Sequence, residues 1–176
     1  TYMDPHSVPS GGEWALYRGG AINIENAEKV SIEGSVLTKL DGHGIVINGY
    51  NRNVTVVGNH FSWLGATAVV AWGDTEGGLP ADLEGKYRGV GYSAAPGNIP
   101  LGTELGHNLC REIGHFIKQS SCYFQAKTAQ SHIHHNVMFN GPRAGVNFND
   151  GLGGGDVVDH NVIFNMVRET HDNGKY

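Results

Sequence analysis

The chain has 176 residues, 39% hydrophobic and only 16% charged, with a formal net charge of -5. That apolar content argues against a disordered tail, and the acidic balance argues against a nucleic-acid partner, which needs a basic face. No apolar run approaches the roughly 20 residues of a membrane span, so no membrane-spanning helix is expected.

Residues 1–14 read as irregular, with Pro5, Pro9, Gly11 and Gly12. From Val30 the chain repeats. Val30-Ser31-Ile32-Glu33-Gly34 returns as Val54-Thr55-Val56-Val57-Gly58-Asn59, then as Ile133-His134-His135-Asn136 and Val158-Asp159-His160-Asn161. Gly34 to Asn59 and Asn136 to Asn161 are both 25 positions. A second β-rich stretch recurs in step as Gly44-Ile45-Val46-Ile47-Asn48, Ala68–Trp72, Ser121–Gln125 and Gly145–Asn149. Gly44 to Ala68 and Ser121 to Gly145 are both 24 positions. Short β-rich stretches at this period, punctuated by Gly and Asn, predict an all-β fold: a right-handed parallel β-helix, or solenoid, of about 24–25 residues per coil. Equivalent positions then stack about 4.8 Å apart, and recurring Asn side chains can bond to those above and below.

Residues 73–106 break the period. They are rich in Gly and Pro and are expected to form one long loop insertion, leaving after Trp72 and returning near Leu105. Otherwise residues 1–176 read as a single β-helix segment, expected to belong to a longer chain. Cys110 and Cys122 are too few for a disulfide framework and are expected to be buried thiols. Asn53-Val54-Thr55 is an N-glycosylation sequon if the protein is secreted.

Strand alternation sorts the second stretch into two faces. Ile45/Ile47, Val69/Ala71, Cys122/Phe124 and Val146/Phe148 are expected inside. Val46/Asn48, Val70/Trp72, Tyr123/Gln125 and Asn147/Asn149 are expected outside. The outer set mixes aromatic and amide groups, which suits sugar rings and hydroxyls. Trp72, Tyr123, Gln125, Asn147 and Asn149 are therefore candidate substrate contacts, with Trp72 as a platform. Trp63 is expected to be packing.

The last two coils carry the densest polar residues. Arg143 and Arg168 are 25 apart and should share one turn, with Asp150, Glu169 and Asp172 as the carboxylates that neutralise them. Paired carboxylates are the equipment of glycoside hydrolysis, so Glu169, Asp172 and Asp150 are candidate catalytic residues, supported by Arg143, Arg168 and His171. One alternative is a Ca²⁺-dependent lyase reaction; another is a non-catalytic hydrogen-bond ladder. His132, His134 and His135 also lie close together, and His160 follows His135 by 25 positions. A ladder can place two imidazoles near one ion, but the simpler expectation is exposed turn or strand positions, and no metal ligand is assigned.

Several segments resemble a known family. Gly141–Gly151, Gly153-Gly154-Gly155, Asn161-Val162-Ile163-Phe164-Asn165 and Arg168-Glu169-Thr170-His171-Asp172-Asn173-Gly174 look like the pectate-lyase-like superfamily of right-handed parallel β-helices. More narrowly, they are similar to extracellular β-helix proteins related to glycoside hydrolases of cell-wall polysaccharides. The likeness extends to Tyr50–Asn53 and Lys118–Lys127 and covers essentially the whole chain. It implies the β-helix fold, a polysaccharide or glycan partner, and an extracellular or cell-surface location. Glu169 and Asp172 match the family's acidic residues best. Family members include hydrolases, lyases and sequences with no known activity, and they continue past the matching glycine where this chain stops at Tyr176.

The functional expectation is an extracellular carbohydrate-binding β-helix, glycoside hydrolase-like, with no cofactor; Ca²⁺ enters only in the lyase alternative. A structural or adhesive β-helix is the other reading, since open solenoid ends permit end-to-end self-association.

Overall fold

The computed structural model describes residues 19–73, 98–149 and 152–169. Among them are eighteen strands and no helix. These strands pair parallel with their neighbours, stacking into a β-solenoid of about five turns. Among the described residues no helix is long and apolar enough to cross a membrane.

Three sheets run along the solenoid. Sheet A has eight strands: β1 (Gly20–Glu28), β4 (His43–Arg52), β7 (Val69–Trp72), β8 (Pro100–Leu101), β11 (Ser121–Ala126), β12 (Thr128–Ala129), β15 (Ala144–Phe148) and β16 (Leu152–Gly154). Sheet B stacks β2 (Ser31–Glu33), β5 (Thr55–Val57), β9 (Glu104–Gly106), β13 (His132–His134) and β17 (Val157–Asp159). Sheet C stacks β3 (Val36–Leu40), β6 (His60–Leu64), β10 (Leu109–Arg111), β14 (Val137–Phe139) and β18 (Val162–Phe164).

Single left-handed residues turn the chain from sheet to sheet. Between sheets B and C these are Gly34, Gly58, His107, His135 and His160, with φ from 53° to 69°. At the turn from sheet C to sheet A they are Lys39 and Trp63, each next to last in its sheet C strand, and Glu112, Asn140 and Asn165 just past theirs, with φ from 49° to 57°. Gly adopts this conformation freely, and Asn and His are enriched in it. The next residue after the B–C corner forms the expected ladder. Asn108 Oδ1 accepts from the backbone N–H and the side-chain Nδ2 of Asn59, at 2.8 and 3.1 Å. Its own Nδ2 donates to Val56 O and to Asn136 Oδ1, at 2.8 and 3.0 Å. Asn136 repeats the pattern with Asn161 and Leu105 O.

The core fills from inward columns. Ile32, Val56, Leu105, Ile133 and Val158 stack on sheet B; Leu37, Phe61, Cys110, Met138 and Ile163 stack on sheet C. Fully burying one such side chain contributes about 1.5–3 kcal/mol. Cys110 and Cys122 are joined as a disulfide, with Cα atoms 6.0 Å apart, and are not the expected thiols. Phe61 and Met138 flank Cys110 on sheet C, and Cys122 enters from the start of β11, so the two sulfurs meet across the core.

Two expectations about register are corrected. The coil resumes well before residue 106, because β8 already pairs with Asn51 and Arg52 and Ile99 is buried. Residues 74–97 of the expected insertion lie outside the described residues. Cys122 lies inside as expected, but the inside and outside of β11 are exchanged from Tyr123 to Gln125. Tyr123 aligns with Val69 and Val146, and Ser121 aligns with Ala144, a step of 23 where 24 was expected. A one-residue slip moves the side chains that follow it to the opposite face. Tyr123 and Gln125 therefore point inward, while Phe124 joins Val46, Val70 and Trp72 on the outer side.

Candidate functional site

The expected sugar contacts on sheet A do not form an open groove. Tyr123 is fully buried, its hydroxyl donating to Gln125 Oε1 at 3.0 Å with Ser131 Oγ at 3.2 Å. Burial drives this phenol well above its usual range, so it stays neutral. The Gln125 amide is used internally as well, its Nε2 donating to Asp156 Oδ2 at 3.1 Å. Trp72 does face outward, yet it is 1% exposed and packs at 5.8 Å against Phe124. It offers no free face to a sugar. Asn147 and Asn149 point outward on the last coil and are half-buried. Asp150, His171 and Asp172 lie outside the described residues.

The remaining expected residues gather at the corner between sheets C and A. Glu169 is half exposed and its carboxylate lies 2.9 Å from the Lys118 ammonium. Arg168 reaches Glu112 at 4.0 Å. Arg143 donates to Gln119 Oε1. The two arginines are thus met by Gln119 and Glu112, with Glu169 engaged by Lys118. Among the described residues, Glu169 is half exposed and ion-paired with Lys118, where a raised carboxyl pKa of the kind a general acid uses comes from burial in an apolar pocket.

This corner also holds residues the sequence reading passed over. Trp63, expected to be packing, is 47% exposed and stacks on His115 with centroids 5.3 Å apart and planes 16° apart. It occupies the same corner column as Glu112, Asn140 and Asn165. Asn165 Nδ2 donates to Asn140 Oδ1 at 2.5 Å, and Asn140 Nδ2 to Glu112 Oε1 at 2.5 Å. Residues 113–120 bulge from the coil here, with Phe116 71% exposed. The signal for Trp63 was its place at a turn, where a bulky left-handed residue must project outward.

A second cluster sits on sheet B and the B–C corner. His107, His135 and His160 stack at the coil spacing, with centroids 4.9 and 4.8 Å apart. His134 Nε2 lies 3.1 Å from Glu104 Oε1, and its Nδ1 lies 3.1 Å from His135 Nδ1. Asp159 accepts from both His132 Nε2 and His160 Nδ1 at 2.8 Å. These two hydrogen bonds hold the Asp159 carboxyl below its usual range. His135 is pushed below the usual imidazole range, first by desolvation and then by His107, His160 and His134, against the opposing pull of Asp159. His107, His134 and His135 each bring a ligand atom within 4.8 Å of the others. His107 escaped the sequence reading because its ladder step to His135 is 28 residues, lengthened by the 113–120 bulge.

Asn53 is an exposed left-handed residue at the corner between sheets A and B, so the sequon is accessible. No protein-family model matches the chain, and no curated protein or solved structure matches it.

Proposed function

We propose that the protein is an extracellular carbohydrate-binding β-helix of the pectate-lyase-like kind, and that its glycan contacts lie along the corner between sheets C and A. The observation that carries this reading is the exposed Trp63 ring, stacked on His115 and one coil from Glu112 in the same column. A flat aromatic face takes the C–H surface of a sugar, while neighbouring carboxylate, amide and guanidinium groups take its hydroxyls. Here those groups are Glu112, Asn140, Arg143, Arg168 and Glu169. The extracellular location is supported by the disulfide, which persists in oxidising compartments, and by the accessible Asn53 sequon.

Affinity electrophoresis of the secreted chain against neutral and acidic polysaccharides tests the reading. At least one polysaccharide should retard it, and Trp63→Ala should weaken that binding about tenfold, on the order of 1.4 kcal/mol. Retardation unchanged by Trp63→Ala would remove the corner from the function. Reducing ends, read on the same panel with and without Ca²⁺, decide whether binding leads to cleavage. Hydrolysis abolished by Glu169→Gln would make this a glycoside hydrolase; unsaturated product dependent on Ca²⁺ would make it a lyase.

A structural, self-associating role is the second reading. Val158 stands in an inward column yet is 40% exposed, and β17 and β18 pair on one side only among the described residues. Sedimentation showing a concentration-independent monomer would count against it.

A further inference from the structure

We propose that His107, His134 and His135 form a binding site for one divalent transition-metal ion of the Zn²⁺ or Cu²⁺ class. The site is independent of the carbohydrate reading, since it lies on sheet B and its corner with sheet C.

The geometry is close to what such an ion needs. Zn–N bonds of about 2.0–2.1 Å in a tetrahedron separate two nitrogens by roughly 3.3 Å. His134 Nδ1 and His135 Nδ1 are already 3.1 Å apart. All three ligand atoms fall within 4.8 Å, and the exposed His107 ring can close the remainder by rotation. His134 is oriented from behind. With its Nε2–H directed at Glu104, its Nδ1 lone pair faces His135, as carboxylate–histidine–metal arrangements require. Gly106 makes room for this ring. A Cβ there would lie 2.6 Å from His134 Cε1 and 2.7 Å from Nε2.

Backbone conformation alone accounts for part of the cluster, because His107, His135 and His160 occupy left-handed corner positions that histidine tolerates. It does not account for His134. That residue lies in β13, is braced by Glu104 and leans over the one glycine in its column. Three imidazole nitrogens favour borderline ions over Ca²⁺ or Mg²⁺, and a fourth position remains for water.

The test is calorimetric titration of the metal-stripped full chain with ZnCl₂, CuSO₄ and CaCl₂, with Cu²⁺ electron paramagnetic resonance alongside. One equivalent of Zn²⁺ or Cu²⁺ should bind, with nitrogen hyperfine structure from imidazoles and no Ca²⁺ heat. His134→Gln and Glu104→Gln should each weaken binding about 10–100-fold, the range for ligand support. His107→Asn and His135→Asn should do the same while keeping the left-handed corner. His60→Gln, outside the cluster, should bind as the parent does. Melting of each metal-free variant checks folding; should His134→Gln fail to fold, Glu104→Gln and His107→Asn decide. Undiminished affinity in the His107→Asn/His135→Asn double variant would assign binding to other histidines and overturn the proposal, as would a copper spectrum lacking nitrogen couplings.

Discussion

At the residue scale, His135 shows how a ladder constrains chemistry. Its ring is stacked between His107 and His160 and abuts His134, so a proton there meets three imidazoles, with Asp159 the one opposing carboxylate. The folded chain therefore binds that proton less readily than the unfolded chain, whose imidazole titrates near 6.5. As pH falls through 6.5 the unfolded state takes up the proton first, and stability declines until the folded value is passed. Denaturation midpoints between pH 7 and pH 5 should fall more steeply for the parent than for His135→Asn. Equal slopes would show that His135 titrates without cost. The composition gave ten histidines but not their meeting. Their stacking depends on corner residues matching from coil to coil, which the irregular 28-residue step hides.

At the element scale, the Asn ladder and strand β11 show what a repeat does and does not reveal. Asn136 and Asn161 were legible from their 25-residue spacing, and the ladder they imply is present. Asn108 was not, since insertion and bulge flank it. Replacing it tests the ladder at its least visible rung. Asn108→Ala would leave Val56 O and the Asn59 N–H without their bonds, at a cost on the order of 2–4 kcal/mol for two buried groups. Urea unfolding checks this, and a loss under 1 kcal/mol would mean that neighbouring groups satisfy both. Strand β11 failed differently. Ser121–Ala126 is buried at every position, so alternation carried no parity signal. Burial on both faces made the spacing the sole guide, and a one-residue error placed Tyr123 and Gln125 on the wrong side. The same error left a partnered interior network, Tyr123–Gln125–Asp156, unforeseen.

For the whole molecule, the solenoid itself was readable because period, turn residues and apolar columns agree. The candidate site was readable only where polar residues cluster, as Arg143, Arg168 and Glu169 do. Trp63 and Glu112 required knowing which corner each coil turns on. Coils touch only their neighbours, so stability is distributed along the axis. The Cys110–Cys122 bond closes a loop of 12 residues between the third and fourth coils. On chain-entropy grounds it contributes about 3 kcal/mol. Cys110→Ala/Cys122→Ala should lose close to that in denaturant unfolding, and an unchanged midpoint would show that the packed core already holds the two coils together.

The same bond has a mechanical consequence. A coil peeled away under tension releases its chain as free length, about 3.5 Å for each residue. The residues between Cys110 and Cys122 sit inside a covalent shortcut and cannot be drawn out. Pulled from its two ends, an oxidised molecule should extend roughly 35–40 Å less than a reduced one. The bulge that carries His115, Phe116 and Lys118 lies wholly within that shortcut. Of the corner proposed to grip a polymer, Glu112, His115 and Lys118 thus lie on a stretch of chain that a taut polymer could not unravel.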